Sequence, residues 1–271
     1  MSVKPIVLKL GGSVITNKAK ASTPSLPTIE RLSEEISMAN VSQLILVHGG
    51  GSFGHPLAKR YAIKEGYRQG DASQVLGFCK THLAMVTLNE LVVDALIRHD
   101  IPAVAVSPSS CVVTKSGRID TMMEEPLKQL LKSGFVPVLF GDAVLDSDLG
   151  FTILSGDQLV TYLAMRLNAA RIIMGIDVDG LYTSDPKVDF SARLIKLITF
   201  EELKKTRERI EESKVTDVTG GMFGKIAELM PVVESGIPSL IVNATKPKRI
   251  YKALKGEKIK GTLISKFSVL S

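Results

Sequence analysis

The sequence predicts an α/β fold: a three-layer αβα sandwich around a mostly parallel, open central sheet. Three observations predict it. Short apolar runs of strand length recur at residues 5–10, 44–47, 103–106, 135–140, 170–175 and 239–243. Segments of helical period separate most of them, the alternation that builds a parallel sheet covered on both faces. Glycine-rich turns follow the strand ends, where open α/β sheets gather their ligands.

The first strand, residues 5–10, carries Lys9 and runs into Gly11, Gly12 and Ser13. A lysine at the end of a buried strand beside paired glycines suits an anion, met by an ammonium and by backbone amides together. The GxxxxGK[ST] spacing of a Walker A loop is absent. Asn17 and Lys18 follow, with Lys18 either a second cation for the same place or an exposed loop residue. Residues 22–27 form a Ser/Pro-rich loop, and Thr28 is expected to cap a helix over 29–39.

Residues 44–56 read LILVHGGGSFGHP. The apolar run predicts a strand buried on both faces. Gly49, Gly50 and Gly51 let the backbone approach a ligand, and their amides can form an anion-binding nest. His55, one residue past the last glycine, is within reach of whatever that loop holds. The plainer alternative is a glycine turn with His55 on the surface. A helix or irregular turn is expected around 57–63.

Residues 73–98 predict a long helix whose apolar stripe includes Val75, Leu76, Leu83, Val86, Leu88, Leu91, Val92, Ala95 and Leu96. Leu76, Phe78, Cys79, Leu83 and Val86 are read as core, with the wall of an apolar pocket as the alternative. His82 and His99 read as surface or capping residues. Hairpins are expected over 110–121 and from Gly141-Asp142 to 154, with a helix at 126–133 between them. Ser155, Gly156 and Asp157 open a helix over 158–167. Asp157 is either its N-cap or part of a ligand site, with Ser155 and Gly156 offering amides.

The strand at 170–175 leads into Asp177, Asp179, Gly180, Leu181 and Tyr182, then Asp185-Pro186. The aspartate spacing is not that of an EF-hand, and the apolar and aromatic neighbours suit a nucleoside better. A charged helix is expected over 200–213. Thr219, Gly220, Gly221 and Met222, with Lys225, repeat the glycine-plus-lysine theme at the start of a helix over 226–235, an anion-site arrangement.

Composition bounds the function. The chain of 271 residues carries 34 Lys and Arg against 28 Asp and Glu, a net charge of +6. The densest basic segment is 246–260, read as a solvated face, as a contributor to anionic small-molecule binding, or, least favoured, as a nucleic-acid surface. Trp is absent and aromatics make up 5 %, which argues against a base-stacking surface. Cys79 and Cys111 lie outside any zinc pattern and are expected as small buried side chains. No signal-peptide pattern or membrane span is read, so a soluble, cytoplasmic protein is expected.

Four motifs stand in order: Lys9-Leu10-Gly11-Gly12-Ser13; His48-Gly49-Gly50-Gly51; Asp177-Val178-Asp179-Gly180-Leu181-Tyr182 with Asp185-Pro186; and Thr219-Gly220-Gly221-Met222 with Lys225. Together they resemble the amino acid kinase superfamily over essentially the whole chain. Within it, GSFGHP at 51–56, ITNK at 15–18 and SGD at 155–157 resemble the archaeal-type isopentenyl phosphate kinases. The resemblance implies the amino acid kinase fold as one domain over 1–271, with an acceptor-binding lobe over about 1–168 and an ATP-binding lobe over about 169–271. It implies phosphorylation of isopentenyl phosphate by ATP, with Mg2+ carried by the nucleotide and no dedicated metal site, for isoprenoid biosynthesis, in a homodimer.

The resemblance also implies roles. Lys9, Gly11, Gly12 and Ser13 lie along the ATP phosphates, and Lys18 bridges toward the transferred group. Gly50 and His55 hold the acceptor phosphate, with Gly51 on the ATP side and Gly156 near the acceptor. Asp157 orients the lysines. Asp177, Asp179 and Gly180 lie near the nucleoside, and Gly221 and Lys225 contact the β- and γ-phosphates. Alternatives are a sibling fosfomycin or uridylate kinase, and a nucleotide-binding regulatory module without turnover.

Overall fold

The computed structural model describes residues 3–184, 188–205 and 222–268. Its central sheet has eight strands in the order β10 (Leu197–Thr199), β12 (Gly261–Ser265), β11 (Ser239–Asn243), β9 (Arg171–Ile176), β1 (Ile6–Leu10), β2 (Leu44–His48), β6 (Val136–Phe140) and β3 (Ala103–Ala105). The run from β11 to β3 is parallel, and β12 turns antiparallel to β11. This is the mostly parallel sheet that the sequence predicts.

Strand period two divides the core. Ile6, Leu8 and Leu10 of β1 face one buried cluster with α2 (Leu26–Ala39), α4 (Ala72–Arg98) and α8 (Arg249–Lys255). Val7 faces the other, with α5 (Glu125–Lys132), α6 (Gly156–Arg166) and α7 (Met222–Glu234). Side chains alternate along the strand, so Lys9 points to the same face as Val7, the face that α6 covers. The two expected hairpins join into a second sheet, ordered β5 (Arg118–Met122), β4 (Val112–Lys115), β7 (Asp142–Asp146) and β8 (Gly150–Leu154).

Several local expectations are corrected. Helix α2 starts earlier, capped at Ser25 with Pro27 in its first turn, a position where a missing N–H costs nothing. The glycine loop is short: Gly49 and Gly50 link β2 to α3 (Gly51–Arg60), which Gly51 itself opens, earlier than the helix or turn expected around 57–63. Helix α6 is capped by Ser155, whose Oγ accepts from Gln158 N at 3.2 Å, so Asp157 is not the cap.

The buried face of α4 runs through Gln74, Gly77, Thr81, Met85, Leu88, Val92 and Leu96. That spacing of three and four turns Val75, Leu76, Leu83 and Cys79 outward, so these are exposed rather than core, and Cys111 is half-buried. Residues 200–205 are helical. The rest of the charged helix expected to 213 lies outside the described residues, as do Asp185, Pro186, Thr219, Gly220 and Gly221. No helix among the described residues is long and apolar enough to cross a membrane.

Candidate active site

The site forms where strands end and helices begin. After β1 the chain enters the single turn α1 (Gly12–Ile15), after β2 it enters α3, and after β8 it enters α6. The first two turns touch through bare backbone. A Cβ on Gly12 would stand 2.2 Å from Gly51 N, and one on Gly51 would stand 2.1 Å from Thr16 Oγ1. Gly51 also has φ +48°, which glycine adopts most easily. Thr16 fastens the junction: its hydroxyl donates to Gly12 O at 2.7 Å and accepts from Ser52 N at 3.0 Å. The paired glycines thus bring two helix N-termini side by side, each with free amides and the positive end of a helix dipole.

Three lysines meet this edge. Lys9 is 4 % exposed, and its Nζ donates to Asp157 Oδ1 at 2.5 Å. Lys225, from the first turn of α7, donates to Asp157 Oδ2 at 3.1 Å. Burial lowers the Lys9 pKa, opposed by the Asp157 carboxylate. Burial alone would push Asp157 up, but the two lysines hold it below the usual carboxylate range. Because Ser155 takes the cap, the Asp157 carboxylate is left to join the two cations. Lys18 pairs with Asp177 at the other rim.

These groups line one cavity of about 880 Å³. Lys9, Gly11, Gly12, Ser13, Lys18, Gly50, Gly51, His55, Gly156, Asp157, Asp177, Gly180 and Lys225 all border it. Two sequence candidates stand apart. Asp179 is turned to Lys260 Nζ at 2.6 Å and Asn243 Nδ2 at 3.2 Å and is not among the lining residues. Gly221 lies outside the described residues. The basic segment 246–260 is largely a solvated face, with Lys246, Lys248, Lys252, Lys255 and Lys258 exposed.

The cavity has a polar and an apolar part. His55 opens to it from α3; partial desolvation, then the charges of Lys225 and Lys9, lower its pKa below 6.5. Next to α3 the wall becomes apolar: Met85 Sδ would stand 2.7 Å from a Cβ on Gly54, and Ile153 and Leu154 continue that wall. Thr81 and Met85 are the α4 residues lining the cavity, so the alternative reading of Leu76, Phe78, Cys79, Leu83 and Val86 as a pocket wall does not hold for it.

Other contributors escape the sequence reading. Asp142 borders the cavity while fully buried, and its carboxylate accepts from His82 Nδ1 at 3.0 Å. The hydrogen bond to Asp142 raises the His82 pKa. His82 is therefore more than a surface residue, while His99 does cap α4. The recurring pattern of a strand followed by glycine, here Gly141-Asp142, was the available signal. Among the described residues, no group of three or more His, Cys, Asp or Glu is arranged to hold a metal ion.

Three cations and converging helix N-termini fit a polyphosphate, and the apolar wall beside His55 fits a small anion with a short hydrocarbon part. Comparison with known proteins points the same way. Residues 4–243 match the amino acid kinase family. An isopentenyl phosphate kinase from Methanothermobacter thermautotrophicus is 43 % identical over 267 residues, covering 96 % of this chain and 98 % of that protein. One from Methanocaldococcus jannaschii is 37 % identical over 95 % of this chain and 97 % of that protein. A solved isopentenyl phosphate kinase structure superposes with a TM-score of 0.85 at 41 % identity, covering 96 % of this chain and all of that one.

Proposed function

The chain belongs to the amino acid kinase family, and on that premise we propose that it transfers the γ-phosphoryl group of ATP to isopentenyl phosphate. A phosphate oxygen of the acceptor attacks the γ-phosphorus, the bond to the β-bridging oxygen breaks, and isopentenyl diphosphate and ADP leave. The observation that carries this reading is the cation cluster around Asp157, set beside an apolar wall in one cavity.

Phosphoryl transfer needs positioning and charge neutralisation more than covalent chemistry. The acceptor is already an anion, so the chief obstacle is its repulsion from ATP rather than the removal of a proton. Lys9, Lys225 and Lys18 offset that charge, with Mg2+ arriving on the nucleotide. Gly12, Ser13 and Gly51 offer amides along the ATP phosphates, while the Gly11 N–H is taken by Gly175 O at 2.8 Å and Gly11 borders the site as bare backbone. Asp177 and Gly180 lie toward the nucleoside, whereas Asp179, held by Lys260 and Asn243 outside the cavity, does not. Gly50, Gly156 and His55 hold the acceptor phosphate. Met85, Ile153 and Leu154 then receive its tail, which a polar acceptor such as UMP would not fill.

The division of labour follows the lobes, acceptor over about 1–168 and nucleotide over about 169–271. We place the enzyme in the cytoplasm as a homodimer, in keeping with its relatedness and with the exposed apolar Val75, Leu76 and Leu83 of α4. A coupled ADP-release assay with MgATP tests the reading against isopentenyl phosphate, dimethylallyl phosphate, fosfomycin and UMP, with a no-acceptor control. Turnover on the prenyl phosphates is expected. Turnover on fosfomycin or UMP instead would overturn the acceptor, and ATP binding without turnover on any acceptor would favour a regulatory module.

A further inference from the structure

The turn between β4 and β5 reaches across to the two helices that carry Asp157 and Lys225. Arg118, the first residue of β5, donates through both Nη1 and Nη2 to Glu228 on α7, at 2.6 and 2.9 Å to its two carboxylate oxygens. Glu228 lies three residues beyond Lys225, on the same side of the helix. The neighbouring Gly117 O accepts from Gln158 Nε2 of α6 at 2.9 Å, and Gln158 directly follows Asp157. Thr161 Oγ1 closes the triangle, contacting Asp157 O at 2.9 Å and Glu228 O at 3.0 Å. One turn of the second sheet therefore grips α6 beside Asp157 and α7 beside Lys225.

We propose that Arg118 is a positioning residue: through Glu228 it holds α7 so that the Lys225 ammonium stays in the cation cluster shared with Lys9 and Asp157. Neither Arg118 nor Glu228 borders the cavity, so the action is indirect. The pair matters for geometry rather than for folding. The Arg118 side chain is 62 % exposed, and exposed ion pairs contribute little to stability. A two-pronged guanidinium–carboxylate contact fixes both distance and angle, which a lysine cannot reproduce. The inference rests on reading Lys225 as a cation for the β- and γ-phosphates.

The test uses the full chain as wild type, Arg118→Ala and Arg118→Lys. Turnover of isopentenyl phosphate by the wild type checks the functional reading. The latch is checked separately, by the ratio of ATP to ADP affinity in a calorimetric titration, which reports cation placement at the γ-phosphate whatever the acceptor is. Arg118→Ala is expected to lower kcat about tenfold, a displacement effect smaller than loss of a contacting group. The KM for the acceptor should change less than about twofold and the ATP-to-ADP ratio should fall, while the melting temperature moves by less than about 3 °C. Arg118→Lys recovers part of the loss. An unchanged ATP-to-ADP ratio in Arg118→Ala would overturn the latch. So would a loss that tracks a large fall in melting temperature, because it would then belong to the fold.

Discussion

His55 sits where the polar and apolar parts of the cavity meet, and its chemistry follows from its neighbours. With its pKa lowered by desolvation and by Lys225 and Lys9, the imidazole is neutral at pH 7 and retains one N–H to donate. In the proposed reaction that N–H would go to the acceptor phosphate, and no base is called for there because the acceptor is already an anion. His55→Ala should lose about 2–4 kcal/mol of transition-state stabilisation in kcat/KM, and His55→Gln should keep part of it, since an amide still donates. Alanine as active as wild type would remove His55 from the reaction. At this scale the sequence was legible wherever a motif is local: the glycines and the lysines announce themselves. Asp157 was legible only through the family resemblance, because an N-cap and an ion-pair partner look alike in sequence, and in the fold Ser155 taking the cap separates them. Thr16 and Asp142 were hidden for another reason. Their partners, Ser52 and His82, come near only through the fold.

At the scale of elements, the two hairpins were legible from their turn residues, but their union was not, because nothing local in β4 specifies a parallel partner in β7. The union is made by Asp146. Its carboxylate accepts from Ser116 N and Gly117 N across the junction, from Asp148 N and Leu149 N in its own turn, and from Thr114 Oγ1. Burial would raise its pKa, but these donors together hold it at about 2. A carboxyl with a folded pKa below its unfolded value near 3.9 contributes stability above about pH 4, lost as pH falls toward 2. Asp146→Ala should destabilise the protein by about 2 kcal/mol at pH 7, measured by urea unfolding, and that deficit should shrink between pH 4 and 2. A deficit independent of pH would assign the effect to packing instead. The same turn presents Gly117 and Arg118 to α6 and α7, so Asp146 underlies the latch as well.

At the scale of the molecule, the proposed acceptor and nucleotide lobes would divide the chemistry and not the folding. The border at about 168 falls between β9 and the strands before it, yet β9 pairs with β1 along its length, from Ile6 with Arg171 to Leu10 with Gly175. The cores are shared too. Glu35 of α2 accepts from Lys248 N, just before α8, and from Ile250 N of α8, at 2.8 and 2.9 Å, and Arg31 Nη2 donates to Ala244 O at 2.6 Å. The alternation of strands and helices made this layered architecture readable from sequence, whereas the sheet order, which places the last third beside β1, is set by packing between distant segments. A chain cut after residue 168 would expose the buried edge of β1 and strip one face of Leu8, a template for aggregation rather than a domain. Thermal unfolding of the whole chain should accordingly be one transition, with calorimetric and van't Hoff enthalpies equal and far-UV and near-UV circular dichroism coincident. MgATP should move that whole transition upward, because a ligand held by Lys9 of β1 and Lys225 of α7 stabilises a unit that includes both. Two resolved transitions, with MgATP shifting only one, would show instead that the lobes fold apart.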